Sequence, residues 1–360
     1  MVAQGWCPST YRIYDAPDGG LARVKVPGGI LGVGQARALA AAARRFGSGT
    51  IEITSRANLQ LRGIGRSEAA ELRAYLSAVG LTAPTAEIED RRNVLASPTA
   101  GLTDGPPGEP TGDPDHDEVL DVRPAVAAAV RALDALADAS ALAHKFGVLI
   151  DGGGTPTLRA IALDLSLGAV RLADPDEIVF AVALGDPLDA ADVDFALAST
   201  PDAVALAVTA AARLCAAPPD EIPAGRMTDV VRALGRRRAR SEIARTAPIQ
   251  PVDARRAIPP HPTSAGAPLG VHPGRGPDRR WVGLRCRDTA VSADHFDALA
   301  DAAAAGGATE IRLTPWRSVI LAELSAAEAD VAVRRLAQTG WTGVPADRPL
   351  DTRPTVGTVA

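Results

Sequence analysis

The stretch TIEITSRANLQLRGI, residues 50–64, alternates between apolar and polar residues along its whole length. Such a period of two is typical of a β-strand that buries one face and exposes the other. The apolar positions are Ile51, Ile53, Ala57, Leu59 and Leu61. The polar positions are Glu52, Thr54, Arg56, Asn58, Gln60 and Arg62. We therefore predict one extended strand over residues 50–64, with two arginines and two amide side chains on the same face.

The polar face of this stretch admits two interpretations. It is the solvent-exposed side of a half-buried strand, or it is a binding surface. The charge pattern favours the interpretation as a binding surface, because between Thr54 and Arg62 the face carries two guanidinium groups and no carboxylate. Guanidinium groups bind carboxylates in a bidentate manner, and amide side chains donate or accept beside them. Arg23 and Lys25 alternate in the same way on the preceding predicted strand, LARVKVPGG. A planar ligand with several carboxylates would satisfy such a surface.

The same pattern recurs near the end of the chain. Residues 280–324 repeat the order of residues 20–64, which is a basic strand, an Ala-rich helix and an alternating stretch. IRLT in the second copy matches IEIT in the first, and Gly307 matches Gly47 at the end of the helix. Each copy continues into a further helical segment, EAAELRAYLSAVGL or AEADVAVRRLAQTGW. These copies predict a duplication about a pseudo-twofold axis, with a ligand where the halves meet.

The predicted domain boundaries follow from these copies. We assign residues 1–85 to a first half-domain and residues 271–350 to a second. Residues 86–225 are typical of an α/β domain, and residues 226–270 are interpreted as a basic and then Pro-rich linker. The arginine-rich segment GRRRARSEIAR in the linker is either a solvated helix face or a functional basic patch. DGGG at 151–154 lacks the spacing of a dinucleotide fingerprint and predicts a tight hairpin turn.

Composition argues against several classes of function. With a net charge of −5 over 360 residues, the chain is not expected to bind nucleic acid. No apolar run reaches the length of a membrane span and the N-terminus lacks a secretion signal, so we expect a cytoplasmic protein without a membrane partner. Cys7, Cys215 and Cys286 are far apart, and the five histidines are equally dispersed. No metal site is predicted within this chain.

Five motifs taken together resemble the nitrite/sulfite reductase superfamily, and within it the precorrin-3B synthase family most. They are RVKVPGG, GTIEITSRANLQLRGI, RRNVLASPTAG, KFGVLIDGGG and IRLTPWRSVIL, and they cover nearly the whole chain in the family's order. The resemblance implies an α+β fold. Two ferredoxin-like half-domain repeats would be related by a pseudo-twofold axis, with an α/β domain of the nitrite/sulfite reductase type inserted between them.

The resemblance also implies a site and a reaction. The tetrapyrrole side chains would be held by Arg56, Asn58, Gln60 and Arg62, with Thr314 and Arg317 from TPWR of the second copy. The catalytic positions facing the distal anion site would be Arg23, Arg92 and Lys145. The implied activity is that of an oxidoreductase of cobalamin biosynthesis, which hydroxylates precorrin-3A in an oxygen-dependent reaction and closes a γ-lactone.

The sequence departs from the family's pattern in the ligands for the iron-sulfur cluster. Its members bind a [4Fe-4S] cluster through two cysteine pairs after the second half-domain, together with sirohaem or a mononuclear iron. None of the cysteines of this sequence matches a ligand position, and residues 351–360 would be the truncated start of the second catalytic domain. A partner chain that carries the cluster would resolve this departure. The alternatives are a non-catalytic tetrapyrrole-binding module or subunit of a split enzyme, and a fragment of a sirohaem-dependent nitrite or sulfite reductase.

Overall fold

The computed structural model describes residues 7–102, 118–137, 140–172, 177–188, 193–247, 249–250, 266–287 and 290–343. The chain divides into two compact units. Unit 1 joins Met1–Glu89 to Gly266–Ala360, and unit 2 is Asp90–Ala265. Both copies of the repeat therefore lie in unit 1, and the segment between them forms unit 2.

The first copy places one helix between strands and a second helix after them. Its strands are β1 (Tyr14–Ala16), β2 (Gly19–Val24), β3 (Ile30–Gly32), β4 (Thr50–Ile53) and β5 (Leu59–Ile64). Its helices are α1 (Val33–Phe46) and α2 (Ala69–Ala78), after which α3 (Ala86–Arg91) follows. The buried face of α1 consists mostly of alanines, and its last turn carries Arg44 and Arg45, as suits the negative end of a helix.

The prediction of one continuous strand over residues 50–64 is wrong, because the chain reverses at residues 54–58. The Thr54 N–H donates to the Asn58 carbonyl at 2.8 Å, and the Ala57 N–H donates to the Thr54 carbonyl at 3.0 Å. Ala57 adopts a φ of 52°, in the left-handed region. β4 and β5 are therefore the two arms of a hairpin, with Ile51 opposite Leu61. The alternation of polarity continues through the turn, so periodicity alone could not reveal it.

Unit 2 contains a mixed sheet covered by helices on one face. Its elements in chain order are β6 (Val94–Ala96), α4 (Arg123–Asp134), β7 (Val148–Asp151), β8 (Leu165–Arg171), β9 (Ile178–Leu184), β10 (Phe195–Ala198), α5 (Pro201–Ala216), α6 (Met227–Leu234), α7 (Arg236–Ala244) and β11 (Ile249–Gln250). The described strands lie in the order β11-β10-β9-β8-β7-β6. β6, β7 and β8 are parallel, whereas the other pairs are antiparallel.

Two expectations for unit 2 differ from the structure. DGGG at 151–154 does not form a hairpin turn, because the strands on either side, β7 and β8, are parallel. The predicted linker from residue 226 instead begins with α6 and α7, which bury Met227, Val230, Ala239 and Ile243 in the apolar core. The Asp164 carboxylate fixes the start of α6, since it accepts hydrogen bonds from Arg226 Nε and the Met227 N–H. Residues 251–265 of the predicted linker lie outside the described residues.

The second copy repeats the first. Its strands are β12 (Gly270–Pro273), β13 (Arg279–Cys286), β14 (Val291–Ser292), β15 (Glu310–Leu313), β16 (Val319–Ser325) and β17 (Trp341–Thr342), and its helices are α8 (Ala293–Ala305) and α9 (Ala326–Ala337). The turn between β15 and β16 has the same form as the first, with hydrogen bonds from Thr314 to Ser318 and from Arg317 to Thr314. Arg317 has a φ of 57°, close to that of Ala57.

The two copies exchange short strands. β3 of the first copy pairs with β15 of the second, and β14 of the second pairs with β4 of the first. The resulting sheets have the orders β1-β2-β5-β4-β14 and β12-β13-β16-β15-β3, with β17 beside β13. α1 packs against α8, and Arg44 of α1 pairs with Asp297 of α8 at 2.6 Å. This reciprocal arrangement confirms the α+β fold with two related halves. No helix among the described residues is long and apolar enough to cross a membrane.

Candidate functional site

One polar face of the first copy gathers basic side chains. β2 lies beside β5 with Arg23 opposite Gln60, and β4 places Glu52 on the other side of Gln60. Directly opposed residues of paired strands project to the same face. We call the set Arg23, Lys25, Arg56, Gln60 and Arg62 the cationic face. The opposite face of these strands is apolar and buried, with Ala22, Val24 and Leu61 fully excluded from solvent.

Lys25 is the most perturbed group of the cationic face. It is only 8% exposed, and burial lowers its pKa from 10.5 to about 7. Cys7 and Glu89 oppose this lowering, whereas the positive charges of Arg23 and Arg56 add to it. Desolvation disfavours a charged amine, so the amine of Lys25 can gain or lose a proton near neutral pH.

The buried carboxylate of Glu89 anchors the N-terminal segment beside this lysine. Glu89 is 2% exposed. Its Oε1 accepts hydrogen bonds from the Thr10 N–H at 2.7 Å and from the Thr10 hydroxyl at 2.8 Å. The negative charge of Glu89 is thereby held in the neighbourhood of Lys25, with which it interacts electrostatically.

Two arginines complete the positive charge around Lys25. Nε of Arg23 is buried and has no hydrogen-bond partner among the described residues. Arg56 stands on the turn between β4 and β5 and is half-buried. A buried N–H group without an acceptor is unfavourable. An anionic ligand at this face would supply an acceptor to Arg23 and counter-charge to all three cations.

Arg62 and Asn58 are engaged within the fold. Arg62 Nε and Nη2 donate to the two carboxylate oxygens of Asp18 at 2.6 and 2.8 Å, and Nη1 lies 3.3 Å from Glu52. The hydrogen bond to Asp18 raises the pKa of Arg62. Asn58 is 4% exposed, and its Oδ1 accepts from the Val26 N–H at 2.8 Å. The side chain of Asn58 therefore holds β2 to the turn.

The second copy contributes a turn that approaches the first. Thr314 is fully buried, and its Oγ1 lies 2.7 Å from Ser318 Oγ and accepts from the Ser318 N–H. Arg317 is exposed. A Cβ on Gly29 would lie 2.6 Å from the Leu313 carbonyl and 3.4 Å from Ala57 Cβ. The two hairpin turns thus converge on Gly29, although Thr314 itself is used inside its own turn.

The other two predicted catalytic residues, Arg92 and Lys145, lie in unit 2. They precede β6 and β7, whose first residues, Val94 and Val148, are paired. Arg92 and Lys145 therefore lie at the same end of these two parallel strands. Arg92 Nε and Nη2 donate to the carboxylate of Asp134 at 2.8 and 2.5 Å. Lys145 is exposed. The neighbouring His144 has its Nδ1 3.0 Å from a carboxylate oxygen of Asp90.

The repeat of unit 1 corresponds to a known family of half-domains. A family model for the nitrite/sulfite reductase ferredoxin-like half domain matches residues 14–79 and 272–339. The chain carries two nitrite/sulfite reductase ferredoxin-like half-domains. The resemblance inferred from the motifs is thereby confirmed.

The chain is also similar to two named enzymes and to one solved structure. The chain is 34% identical over 169 residues to precorrin-3B synthase of a Sinorhizobium species, which covers 47% of this chain and 33% of that protein. It is 34% identical over 151 residues to ferredoxin–nitrite reductase of Synechococcus elongatus, covering 41% and 27%. The matches thus span about a third or less of those two relatives. The structure of NirA from Mycobacterium tuberculosis shares the fold, with a TM-score of 0.71 at 20% identity over 91% of this chain and 58% of that one.

The residues of this chain fit one of the cofactors that the motif resemblance implies better than the other. A [4Fe-4S] cluster takes four thiolates, and the sequence contains three cysteines. Burial raises the pKa of Cys215, and Cys286 is buried with its Sγ 3.9 Å from His295 Nδ1. No group of three or more potential metal-ligating side chains occurs in the described parts of the chain. These residues do not fit a cluster, whereas Arg23, Arg56 and Gln60 fit the carboxylates of a tetrapyrrole such as sirohaem.

Sequence reasoning placed Lys25 on the basic strand but did not assign it a role. A signal was present, because only two of the 38 basic residues of the chain are lysines, Lys25 and Lys145. A lysine kept among so many arginines is a candidate for chemistry that needs a removable proton, since arginine stays protonated. No sequence signal indicated that Cys7 and Glu89 influence the pKa of Lys25, since neither is a near neighbour of Lys25 in the sequence.

Proposed function

We propose that the chain binds a tetrapyrrole polycarboxylate on its cationic face and acts in a precorrin-3B synthase-like oxidoreductase, with precorrin-3A as substrate. The observation that carries the proposal is the cluster of Arg23, Lys25 and Arg56, which places two half-buried arginines beside a buried lysine. The carboxylate side chains of a tetrapyrrole would bring negative charge to these three cations. The similarity to a precorrin-3B synthase supports this choice of reaction class.

The residues of the cationic face would contribute to ligand binding in different ways. Arg56 and the buried Nε of Arg23 would donate charge-assisted hydrogen bonds to ligand carboxylates, and Gln60 would donate through its amide. Arg62 would contribute less, because contact with a ligand competes with its pair to Asp18. Asn58 and Thr314 would act by shaping the two hairpin turns, and the exposed Arg317 would reach the rim of a bound macrocycle.

Lys25 would hold or release a proton beside the ligand. Its pKa of about 7 leaves a substantial neutral fraction at neutral pH in the ligand-free protein. A carboxylate placed nearby would raise this pKa and favour the protonated amine. In unit 2, Arg92 and Lys145 are proposed as catalytic residues of that unit, and Asp134 would compete with any ligand for Arg92. An iron-bearing tetrapyrrole, when present, would supply the redox chemistry that these side chains lack.

A second candidate function is tetrapyrrole binding without catalysis by this chain alone. The observation that favours it is the set of three cysteines, which cannot supply four cluster ligands. The cluster would then belong to a partner chain. A sirohaem-dependent nitrite or sulfite reductase is a third candidate, favoured by the similarity to a ferredoxin–nitrite reductase.

Binding of uroporphyrin III, an octacarboxylate tetrapyrrole, tests the proposal. Titration of the full chain should saturate at one site, and Arg56→Ala should weaken binding about 10- to 150-fold, because a lost charge-assisted hydrogen bond costs about 1.5–3 kcal/mol. Arg45→Ala is the matched control, since Arg45 is an exposed arginine of α1 paired with Glu71. Absence of binding, or equal affinity of Arg56→Ala and the wild type, would contradict the proposal.

Turnover separates the candidate functions. Precorrin-3A and oxygen are supplied to the chain together with a cluster-carrying partner. Formation of a hydroxylated lactone supports the synthase. Tetrapyrrole binding with no lactone assigns the chain to the binding module, and reduction of nitrite or sulfite by a sirohaem-loaded protein assigns it to the reductases.

A further inference from the structure

The sheet of unit 2 has a second face made largely of small residues. β8 runs between β7 and β9, with Ser166 opposite Leu149 and Ala183, and Gly168 opposite Asp151 and Ala181. Ser166 and Gly168 are two residues apart on one strand and therefore point to the same side. The alternate residues of the same strand, Leu165, Leu167 and Ala169, belong to the core on the helix-covered side. We call the side that carries Ser166 and Gly168 the small-residue face.

Arg159 lies over this face. A Cβ built on Gly168 would be 3.1 Å from Leu188 Cδ1 and 3.4 Å from both Cζ and Nη2 of Arg159, so Leu188 and the guanidinium together occupy the space that a side chain at position 168 would take. The arginine is 5% exposed. Its Nη2 donates to the Ala169 carbonyl at 2.8 Å. Among the described residues, Nε and Nη1 find no acceptor.

The nearest negative charge does not satisfy these two nitrogens. Asp151 is fully buried and interacts electrostatically with Arg159. Its oxygens accept from the Gly153 N–H at 2.7 Å, the Leu158 N–H at 2.6 Å and the Thr157 hydroxyl at 3.2 Å. The loop after β7 thus donates three hydrogen bonds to the carboxylate of Asp151. Burial lowers the pKa of Arg159, and the charge of Asp151 opposes this lowering.

A second buried donor lies on the same face of the sheet. Ser166 is fully buried, and its Oγ has no hydrogen-bond partner in the described part of the chain. Its Cα lies about 7 Å along the strand from that of Gly168, given the rise of a β-strand. Buried polar groups are almost always hydrogen-bonded, so two such groups on one face call for a common acceptor.

We propose that Arg159 and Ser166 form a binding site for a single oxyanion group, a carboxylate or a phosphate, on the small-residue face of unit 2. Arg159 supplies two N–H donors and a positive charge, and Ser166 supplies an O–H donor. Exclusion of water strengthens charge-assisted hydrogen bonds, so the enclosed site suits a small group.

This site is distinct from the surfaces used in the proposed function. Arg159 follows β7 in the chain, and Asp151 is the last residue of that strand. Arg92 and Lys145 instead precede β6 and β7, at the amino-terminal ends of the strands. In sheets with parallel strands, ligands commonly bind beyond the carboxyl ends of the strands. The site therefore has its own position, and its test does not depend on tetrapyrrole binding or turnover.

Anion binding by the full chain tests the proposal, with inorganic phosphate and acetate as the probes for the two sources of an oxyanion. Isothermal titration of the wild type should reveal one site for at least one probe at millimolar concentration. Ser166→Ala should weaken that binding about fivefold or more, and Arg159→Lys about tenfold or more, since both remove donors to the anion. Ser241→Ala and Arg237→Lys are matched controls on the exposed side of α7 and should bind as the wild type does.

The outcomes decide the proposal in both directions. Binding of acetate alone assigns a carboxylate, and binding of phosphate assigns a phosphate-type anion. Failure of the wild type to bind either probe, or unchanged affinity in Ser166→Ala, overturns the site. Ser166→Ala keeps the test valid if Arg159→Lys does not fold, because loss of one hydroxyl leaves the packing of β8 nearly unchanged.

Discussion

Substitution of Lys25 by Met should change how the stability of unit 1 depends on pH. The folded protein holds the Lys25 amine with a pKa of about 7, against 10.5 for the ordinary side chain. Between these values the unfolded chain binds the proton and the folded chain does not, so stability rises with pH. From about pH 7 to about pH 9, this group alone should add about 2 kcal/mol to the free energy of unfolding.

Lys25→Met removes the titrating amine while preserving most of the apolar side chain. The rise between about pH 7 and pH 9 should therefore be about 2 kcal/mol smaller in the variant, and the variant should be more stable than the wild type at neutral pH. Urea unfolding followed by tryptophan fluorescence measures this, because all four tryptophans lie outside unit 2. Lys145→Met is the matched control and should keep the wild-type rise. Equal pH dependence in Lys25→Met and the wild type would refute the burial of a perturbed amine.

Three further perturbations have defined outcomes. Glu89→Gln removes a negative charge that raises the pKa of Lys25, so this pKa should fall further in NMR titration, and an unchanged value would argue against their coupling. Gly29→Ala should destabilise unit 1 by about 1–3 kcal/mol in urea unfolding, because φ is 70° and a Cβ would lie 2.6 Å from the Leu313 carbonyl; a neutral effect would show that the turns do not converge there. Asp164→Asn should destabilise unit 2 by about 1–3 kcal/mol, because the buried carboxylate no longer accepts charge-assisted hydrogen bonds from Arg226. Hydrogen exchange of the α6 amides measures the loss of stability in Asp164→Asn. Protection equal to that of the wild type would contradict the role of Asp164 in anchoring α6.

The architecture of unit 1 was predictable because its order of elements occurs twice. The helix α1 and the basic strand β2 follow from local patterns, and the second copy tests both. The turn at residues 54–58 was not predictable from alternation, since polar and apolar residues keep their order through it. In unit 2, the parallel pairing of β7 with β8 depends on the path of the chain between them and leaves no trace in periodicity. The helices α6 and α7 are short and rich in arginine, so composition favoured a linker.

The site was predictable in its chemistry and less so in its geometry. Arg23 and Gln60 were expected on one polar face, and the register of β2 with β5 places them opposite each other. The pair of Arg62 with Asp18 joins residues 44 positions apart, which no local pattern reveals. Glu89 anchors the N-terminal segment and interacts electrostatically with Lys25, which are long-range contacts that no local pattern reveals.

Titration of the two lysines by NMR, in protein labelled with carbon-13 at lysine, tests the central claim most directly. With only Lys25 and Lys145 in the chain, the variant Lys145→Arg assigns both signals. The Lys25 signal should titrate with a pKa of about 7, and uroporphyrin III should raise that pKa by placing carboxylates beside the amine. A Lys25 pKa near the ordinary value of 10.5, with no response to uroporphyrin III, would contradict a buried cationic face that binds a tetrapyrrole.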